Sequence, residues 1–311
     1  MVAFIFPGQG SQFVGMGKDL CQEYPEAYDI FDKADKALGF SLSKLCFEGP
    51  IEELTRTVNC QPAILTTSFA FLLVLKSQVK NLNQPAFCAG LSLGEYSALL
   101  AARALDFEDS LKLVRQRAQF MEEEAKNSSG AMAAVLGLER PLVEQAAKEA
   151  GAEIANFNCP GQIVVSGEKE AIERIKEIAV NKGAKMVIEL EVSGAFHSSL
   201  MRPAAERFAS LIEGVVFKVP IYPVVSNIYA LPENNPDKIR QNLITQIYGS
   251  VLWEDSVRFM AAQGVKVFYE IGPGSVLKGL LKKIGPELTT ISIGTKEDID
   301  NIVTSNQRTE E

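Results

Sequence analysis

The sequence predicts an α/β protein: a large domain with a mainly parallel sheet, and a smaller ferredoxin-like βαββαβ domain inserted into it. Two observations carry this prediction. Short apolar segments alternate with helical patterns in both halves of the chain, which is typical of parallel strands covered by helices on both faces. Between residues 130 and 192 the pattern changes to strand, helix, strand, strand, helix, strand, the order of the split ferredoxin-like unit.

The strands assigned to the parallel sheet are short. They are VAFIF (2–6), AFCAG (86–90), VVS (224–226), VKVFYEI (265–271) and TTISIG (289–294). The apolar run from Ala63 to Leu75 is interrupted by threonine and serine, and we interpret it as a buried helix too short to cross a bilayer. The polar end of the chain, from Thr295, is expected to fray.

The inserted domain is predicted to span residues 128–195, so that residues 1–127 and 196–311 form the large domain. Its strands are assigned to 130–138, 152–158, 162–167 and 185–192, and its helices to 140–151 and 169–183. The segments KNSSG (126–130) and SGAFHSS (193–199) would be its two hinges. A cleft between two such domains is a common place for a substrate.

Composition narrows the class of function. The 311 residues carry a formal net charge of −8, which argues against bulk attraction to nucleic acid or to an anionic membrane. The five cysteines are scattered without a Cys-x-x-Cys spacing, so we expect neither a disulfide framework nor a metal site, and we expect a cytoplasmic location. The N-terminus, MVAFIFPGQG, lacks the basic region of a signal peptide.

A candidate nucleophile lies in the segment FCAGLSLGEYSALLAA (87–102). Ser92 is the serine of a Gly-x-Ser-x-Gly pattern, between a predicted strand and a predicted helix. Such a turn projects the hydroxyl from the end of the sheet, and the following helix N-terminus favours an oxyanion. The alternative is that Ser92 merely caps an ordinary helix.

A nucleophilic serine needs a base, and His197 is the only histidine in the chain. It lies in the second predicted hinge, which would face the cleft. No acidic residue stands out as a third member of a triad.

The helix DFEDSLKLVRQRAQFMEEEA (106–125) carries Arg115 and Arg117 on opposite borders of its apolar stripe. Periodicity therefore leaves open which arginine turns inward, or whether both are solvated.

Several separate stretches resemble one family, the malonyl-CoA:acyl carrier protein transacylases of fatty acid and polyketide synthesis. They are FPGQGSQ (6–12), GLSLGEYSAL (90–99), VRQRAQFM (114–121), NFNCPGQIVVSG (156–167), VSGAFHSSLM (192–201), TQIYGSVLWEDSV (245–257) and FYEIGPGSVLKGL (268–280). The resemblance runs from residue 2 to about residue 294. It implies a hydrolase-like α/β fold with an inserted ferredoxin-like domain.

The resemblance also implies a site and a reaction. Ser92 would take a malonyl group from malonyl-CoA with His197 as its base, and pass it to the phosphopantetheine thiol of acyl carrier protein without a cofactor. The backbone amides of Gln9 and Leu93 would form the oxyanion hole. The main-chain carbonyl of Gln246 would orient the histidine.

Four further residues are assigned to substrate by the same resemblance. Arg117 would bind the malonyl carboxylate, which suits a guanidinium because it is always charged and can donate two parallel hydrogen bonds. Phe196 would fill space beside the α-carbon, and Asn158 would line the pocket. Leu91 also lines it, and it departs from the family, which usually has histidine before the nucleophile.

With leucine at position 91, the sequence alone does not determine which acyl group the site accepts or whether water reaches it. The rival hypothesis is an acyl hydrolase of the same scaffold that acts on carrier-bound acyl groups. Arg117 argues against it, because a buried cation gives no advantage with uncharged chains. A third hypothesis is a non-catalytic protein that only docks on carrier protein. Lys282 and Lys283 are candidates for contact with an acidic carrier, although both also fit as solvated lysines.

Overall fold

The computed structural model describes residues 1–80 and 82–308, and in these residues it has ten strands in two sheets. The strands are β1 (Val2–Phe6), β2 (Phe87–Gly90), β3 (Gly130–Leu136), β4 (Glu153–Cys159), β5 (Gln162–Glu168), β6 (Met186–Glu189), β7 (Val224–Val225), β8 (Pro232–Glu233), β9 (Val267–Ile271) and β10 (Thr289–Ile293).

The described residues also form fourteen α-helices and one short 3-10 helix, Ser199–Met201. The α-helices are α1 (Lys18–Glu23), α2 (Pro25–Leu38), α3 (Leu42–Glu48), α4 (Ile51–Thr55), α5 (Thr57–Gln78), α6 (Gly94–Ala101), α7 (Phe107–Asn127), α8 (Arg140–Ala150), α9 (Lys169–Asn181), α10 (Arg202–Ile212), α11 (Pro236–Gln246), α12 (Trp253–Ala262), α13 (Val276–Ile284) and α14 (Lys296–Arg308).

The larger sheet is mainly parallel, as the sequence predicts. Its order is β10-β9-β1-β2-β7-β8, and every pairing is parallel except the last. The central strand β1 reads VAFIF and is buried from Ala3 onward, as expected for a strand covered on both faces. The antiparallel strand β8 was not predicted, since it consists of two residues, one of them a proline.

The second sheet comes from one continuous stretch in the middle of the chain. Its order is β4-β5-β3-β6, and its neighbouring strands are antiparallel. The elements follow one another as β3, α8, β4, β5, α9 and β6, the order read from the sequence. Helices α8 and α9 pack on each other and close a separate apolar core that includes Val135, Val165 and Ile172.

The helix predicted at residues 63–75 is longer than expected. Helix α5 runs for 22 residues and is long and apolar enough to cross a membrane by length and composition. Its most apolar window is nevertheless 83% buried within the protein, where α5 packs against α2 and α7. The central helix of a globular core has these same properties. Helix α5 is therefore buried as predicted, but it is not too short to cross a bilayer, contrary to the prediction from its apolar run.

The polar end of the chain is helical rather than frayed. Helix α14 runs from Lys296 to Arg308, and the part of the prediction that concerns residues 309–311 lies outside the described residues. Asp298 accepts hydrogen bonds from the amides of Gly294 and Thr295, and so holds the chain where it enters the helix. The buried Ile299 packs into the main core. The hydrogen bonds of Asp298 and the burial of Ile299 order this segment, although its polar composition predicted fraying.

Candidate active site

The chain makes a tight turn between β2 and α6, at the carboxyl end of the parallel sheet. Ser92 lies in this turn with φ +52°, a left-handed conformation that is uncommon outside glycine. The glycines on both sides are needed because of backbone crowding: a Cβ at Gly90 would collide with the backbone of Gly94, and one at Gly94 would collide with the carbonyl of Phe6. The turn is therefore held against the neighbouring strand β1, with the serine at its apex.

Asn227, which follows β7, fixes this turn from the side. Its side-chain oxygen accepts a hydrogen bond from the amide of Ser92 at 2.7 Å, and its side-chain nitrogen donates to the carbonyl of Gly90 at 2.7 Å. Asn227 is fully buried. These bonds satisfy polar backbone groups that the strained turn would otherwise leave unpaired.

Ser92 and His197 are in hydrogen-bond contact although they are 105 residues apart in sequence. Ser92 Oγ lies 2.9 Å from His197 Nε2, and His197 Nδ1 lies 2.7 Å from the main-chain carbonyl of Gln246. A carbonyl can only accept, so Nδ1 must carry the ring proton of a neutral imidazole. That leaves the Nε2 lone pair facing the serine hydroxyl, which is the arrangement of a general base and its nucleophile.

The imidazole is held in its neutral form. Burial, and after it the positive charge of Arg117, lowers the pKa of His197 to about 4. His197 is 5% exposed, and its φ of +59° places the backbone here in the left-handed region as well. At neutral pH His197 is therefore deprotonated and able to accept a proton.

Arg117 is the arginine of α7 that turns inward. It is 1% exposed, and its guanidinium donates to Gln61 Oε1 at 2.8 Å, to Gln246 Oε1 at 3.0 Å and to Ser92 Oγ at 3.2 Å. Its Nε is buried without a hydrogen-bond partner among the described residues. Arg115, by contrast, is only partly buried and donates to the carbonyl of Val58, away from the serine.

A cavity of about 200 Å³ opens beside Ser92, between the two sheets. The large-sheet part of the chain contributes the serine and Arg117, and the second sheet contributes Met132 and Val164. Its volume is below the roughly 300–1,000 Å³ of drug-sized ligand pockets, so it suits a small group better than a long chain. The cavity is also lined by Gln9, Leu91, Leu93, Asn158, Phe196 and His197.

The two residues assigned to an oxyanion hole both line this cavity. No hydrogen bond within residues 1–80 and 82–308 has the amide of Gln9 or that of Leu93 as its donor. Leu93 stands at the start of α6, where the helix dipole favours negative charge. A further unpaired polar atom, the buried Asn158 Oδ1, also belongs to a residue that lines this cavity.

Sequence reasoning missed three polar residues of this site. Gln61 binds Arg117, Asn227 holds the serine turn, and Glu95 accepts a hydrogen bond from the Gln246 side chain at 2.6 Å. Each left a signal that could have been used. Gln61 and Glu95 interrupt apolar helices, and Asn227 follows a strand at the carboxyl edge of a parallel sheet, where ligand-binding residues gather.

Comparison with known proteins identifies the family. The acyl transferase domain family matches residues 3–303. A malonyl CoA-acyl carrier protein transacylase of Bacillus subtilis is 47% identical over 304 residues, which is 96% of this chain and 95% of the relative. The chain belongs to the malonyl CoA-acyl carrier protein transacylase family.

Solved structures of this family agree with the fold. An acyl carrier protein S-malonyltransferase of Vibrio cholerae superposes with a TM-score of 0.94 at 40% identity, covering 97% of this chain and 99% of that one. A malonyl-transacylase solved in complex with its type II PKS acyl-carrier protein has a TM-score of 0.94 at 39% identity, covering 98% and 99%. The transacylase resemblance predicted from sequence motifs is thus confirmed over nearly the whole chain.

Proposed function

We propose that this transacylase carries the malonyl group on Ser92, with His197 as general base and acid. The chain is an enzyme that moves malonyl from malonyl-CoA to acyl carrier protein, for fatty acid or polyketide synthesis, as its relatives of 47% and 45% identity are named. The single observation that carries the mechanism is the hydrogen-bonded chain from Ser92 through His197 to the Gln246 carbonyl.

In the first half-reaction Ser92 Oγ attacks the thioester carbon of malonyl-CoA while Nε2 of His197 takes the hydroxyl proton. The resulting oxyanion accepts hydrogen bonds from the amides of Gln9 and Leu93. The tetrahedral intermediate collapses, the C–S bond breaks, and His197 returns the proton to the CoA sulfur. The product is a malonyl ester on Ser92.

The second half-reaction reverses these steps with a different thiol. His197 takes the proton from the phosphopantetheine thiol of the carrier, and the sulfur attacks the malonyl ester. The Ser92 oxygen then leaves and recovers a proton from His197. No redox or metal chemistry enters either half, so we propose that the reaction needs no cofactor.

Arg117 gives the site its preference for a charged acyl group. The incoming carboxylate would replace Ser92 Oγ and the glutamine oxygens as the partner of the guanidinium, a stronger acceptor in the same buried position. Asn158, with its unpaired Oδ1, and Phe196 would line the acyl group on its other side.

We also propose that the second sheet and its two helices are an inserted ferredoxin-like domain, residues 128–195, between the halves of a hydrolase-like large domain. The strand order β4-β5-β3-β6 supports this. A cytoplasmic location fits as well, because all five cysteines are free.

Hydrolysis is a second candidate function, because of Leu91. It lines the cavity beside Ser92, where the family usually has histidine, and an altered wall could admit water. The buried Arg117 favours transfer of malonyl over the removal of uncharged chains, because a carboxylate can pair with the guanidinium whereas an uncharged chain offers it no partner.

Mass spectrometry of the intact protein tests the nucleophile. After incubation with malonyl-CoA, the wild-type chain should gain one malonyl group, and Ser92→Ala should gain none. Ser97→Ala is the matched control, since Ser97 is a buried serine in the following helix whose hydroxyl has no partner within the described part of the chain. A malonyl adduct that persists on Ser92→Ala would refute the assignment.

A further inference from the structure

Glu95 is a buried acid beside the reacting groups to which the mechanism gives no role. It lies in the first turn of α6 and is 3% exposed. One carboxylate oxygen, Oε2, accepts from Gln246 Nε2 at 2.6 Å and from the amide of Asn227 at 3.2 Å. Both donors are neutral, so no cation touches this carboxylate directly within residues 1–80 and 82–308.

The side chain of Gln246 connects Glu95 to the substrate-binding arginine. Its Nε2 donates to Glu95 and to the carbonyl of Ser92, at 2.6 and 3.1 Å, which leaves its Oε1 to accept from Arg117 at 3.0 Å. The same residue holds His197 through its main-chain carbonyl. In the free protein, the arginine charge is therefore balanced by a carboxylate one amide away.

A malonyl carboxylate would bring a second negative charge to this cation. One guanidinium with two buried carboxylates leaves an uncompensated charge, which is costly for groups as deeply buried as Arg117 and Glu95. Burial already raises the pKa of Glu95 to about 7, while its two hydrogen bonds and the charge of Arg117 act to lower it. The other titratable neighbours, His197 and Tyr96, are both neutral near pH 7. Burial lowers the pKa of His197 and raises that of Tyr96.

We propose that Glu95 takes up one proton from solvent when the malonyl carboxylate pairs with Arg117. Glu95 is thus a positioning residue. Once it is protonated it no longer balances the charge of Arg117, and the malonyl carboxylate balances that charge instead. This inference rests on the proposed function, because it needs the malonyl group at Arg117. Glu95 Oε1 can carry this proton, because no hydrogen bond of the described residues uses that atom. Both contacts of Oε2, with Gln246 and Asn227, can therefore persist.

The affinity for malonyl-CoA should weaken as the pH rises above 7. Below pH 7 Glu95 is already protonated in the free protein, so malonyl binding needs no proton. Above pH 7 it is ionised, and each binding event must take up a proton. The apparent affinity for malonyl-CoA should then fall about tenfold for each further pH unit.

Comparison of the wild-type chain with Glu95→Gln across pH 6 to pH 8.5 tests this. The glutamine keeps the shape of a protonated glutamate but cannot titrate. We expect the wild-type KM for malonyl-CoA to rise about 15-fold between pH 7 and pH 8.5, and the KM of Glu95→Gln to stay flat, whatever its absolute rate. Ionisation of the CoA phosphates is common to both variants and cancels. Parallel profiles would overturn the proposal.

A second measurement does not depend on how Glu95→Gln folds. Ser92→Ala should bind malonyl-CoA without turnover, and calorimetry in two buffers of different ionisation enthalpy counts the protons taken up at pH 8. We expect close to one proton with malonyl-CoA and none with acetyl-CoA, which lacks the carboxylate. Equal uptake with both thioesters would contradict the proposal. Failure of the proposed function would look different: the wild-type chain would gain no malonyl adduct at any pH.

Discussion

The guanidinium of Arg117 is a buried charge that contacts Ser92 and two glutamines at once. Replacing it by alanine should abolish the preference for malonyl-CoA. Loss of one partner of a buried charge pair costs about 2–5 kcal/mol, or roughly 30- to 4,000-fold in kcat/KM for malonyl-CoA. Loading from acetyl-CoA should be retained or raised, because that substrate has no carboxylate to pair.

Arg115 provides the matched control for this substitution. It lies two residues away on the same helix, stacks over the Phe40 ring and donates to the Asn59 side chain. Arg115→Ala should reduce loading from malonyl-CoA and acetyl-CoA alike, through stability. An equal loss with both thioesters in Arg117→Ala would argue against a carboxylate-binding role.

The single histidine allows a direct test of the charge coupling in the site. The pKa of His197 is lowered to about 4 by burial and by Arg117, so in the free protein the imidazole becomes charged only once the pH falls toward 4. In Arg117→Ala we expect the pKa to move back toward the ordinary 6.5. Because the chain has one histidine, its ring signals in an NMR pH titration need no assignment. A pKa unchanged by the substitution would show that the guanidinium does not act on the imidazole.

The sequence indicated which residues meet at the site, but it did not determine how their side chains are oriented. The glycines beside Ser92 indicated a strained turn, and a lone histidine left one candidate base. Periodicity could not choose between Arg115 and Arg117, since both border the apolar stripe of α7. The choice depends on Gln61 and Gln246, which reach Arg117 from two other helices and which no local pattern in α7 reveals.

At the scale of elements, the close crossing of β1, β2 and α6 positions Ser92. Gly94→Ala would force a methyl group against the carbonyl of Phe6, a backbone atom that cannot move aside cheaply. We expect a loss of about 1–3 kcal/mol in the free energy of unfolding, the usual cost of overpacking, together with loss of acyl loading. Urea denaturation and intact mass measure the two effects.

Gly279 is the control for this effect. It lies in α13, and a Cβ added there would meet no other atom within 4 Å, so Gly279→Ala should be neutral or stabilising by about 0.5–1 kcal/mol. If Gly94→Ala were as stable and as active as Gly279→Ala, the crowded turn would not be what positions Ser92.

Elements with a strong local pattern were predicted well, and those set by tertiary contact were not. The strands β1, β3 and β5 and the helices α8 and α9 follow their sequence patterns closely. The errors lie where packing overrides composition: α5 extends beyond its apolar run, and α14 is ordered by Asp298 at its start and by burial of Ile299.

At the scale of the whole molecule, the site exists only because distant segments meet. Ser92, Arg117, His197 and Gln246 come from four separate segments, and the second sheet closes the cavity above them. Arg140 ties the second sheet to the rest: it stacks on Phe157 of β4 and pairs with Asp255 of α12. The sequence predicted both sheets, but the way they meet follows from such long-range contacts.

Transfer from the loaded protein tests whether Ser92 carries the malonyl group between two thiols. The malonyl-loaded protein is isolated and mixed with phosphopantetheine-bearing acyl carrier protein, and both masses are followed by rapid quench. We expect the malonyl group to leave Ser92 and appear on the carrier at least as fast as steady-state turnover. Malonyl that appears as free malonate, or that stays on the protein while turnover proceeds, would contradict it.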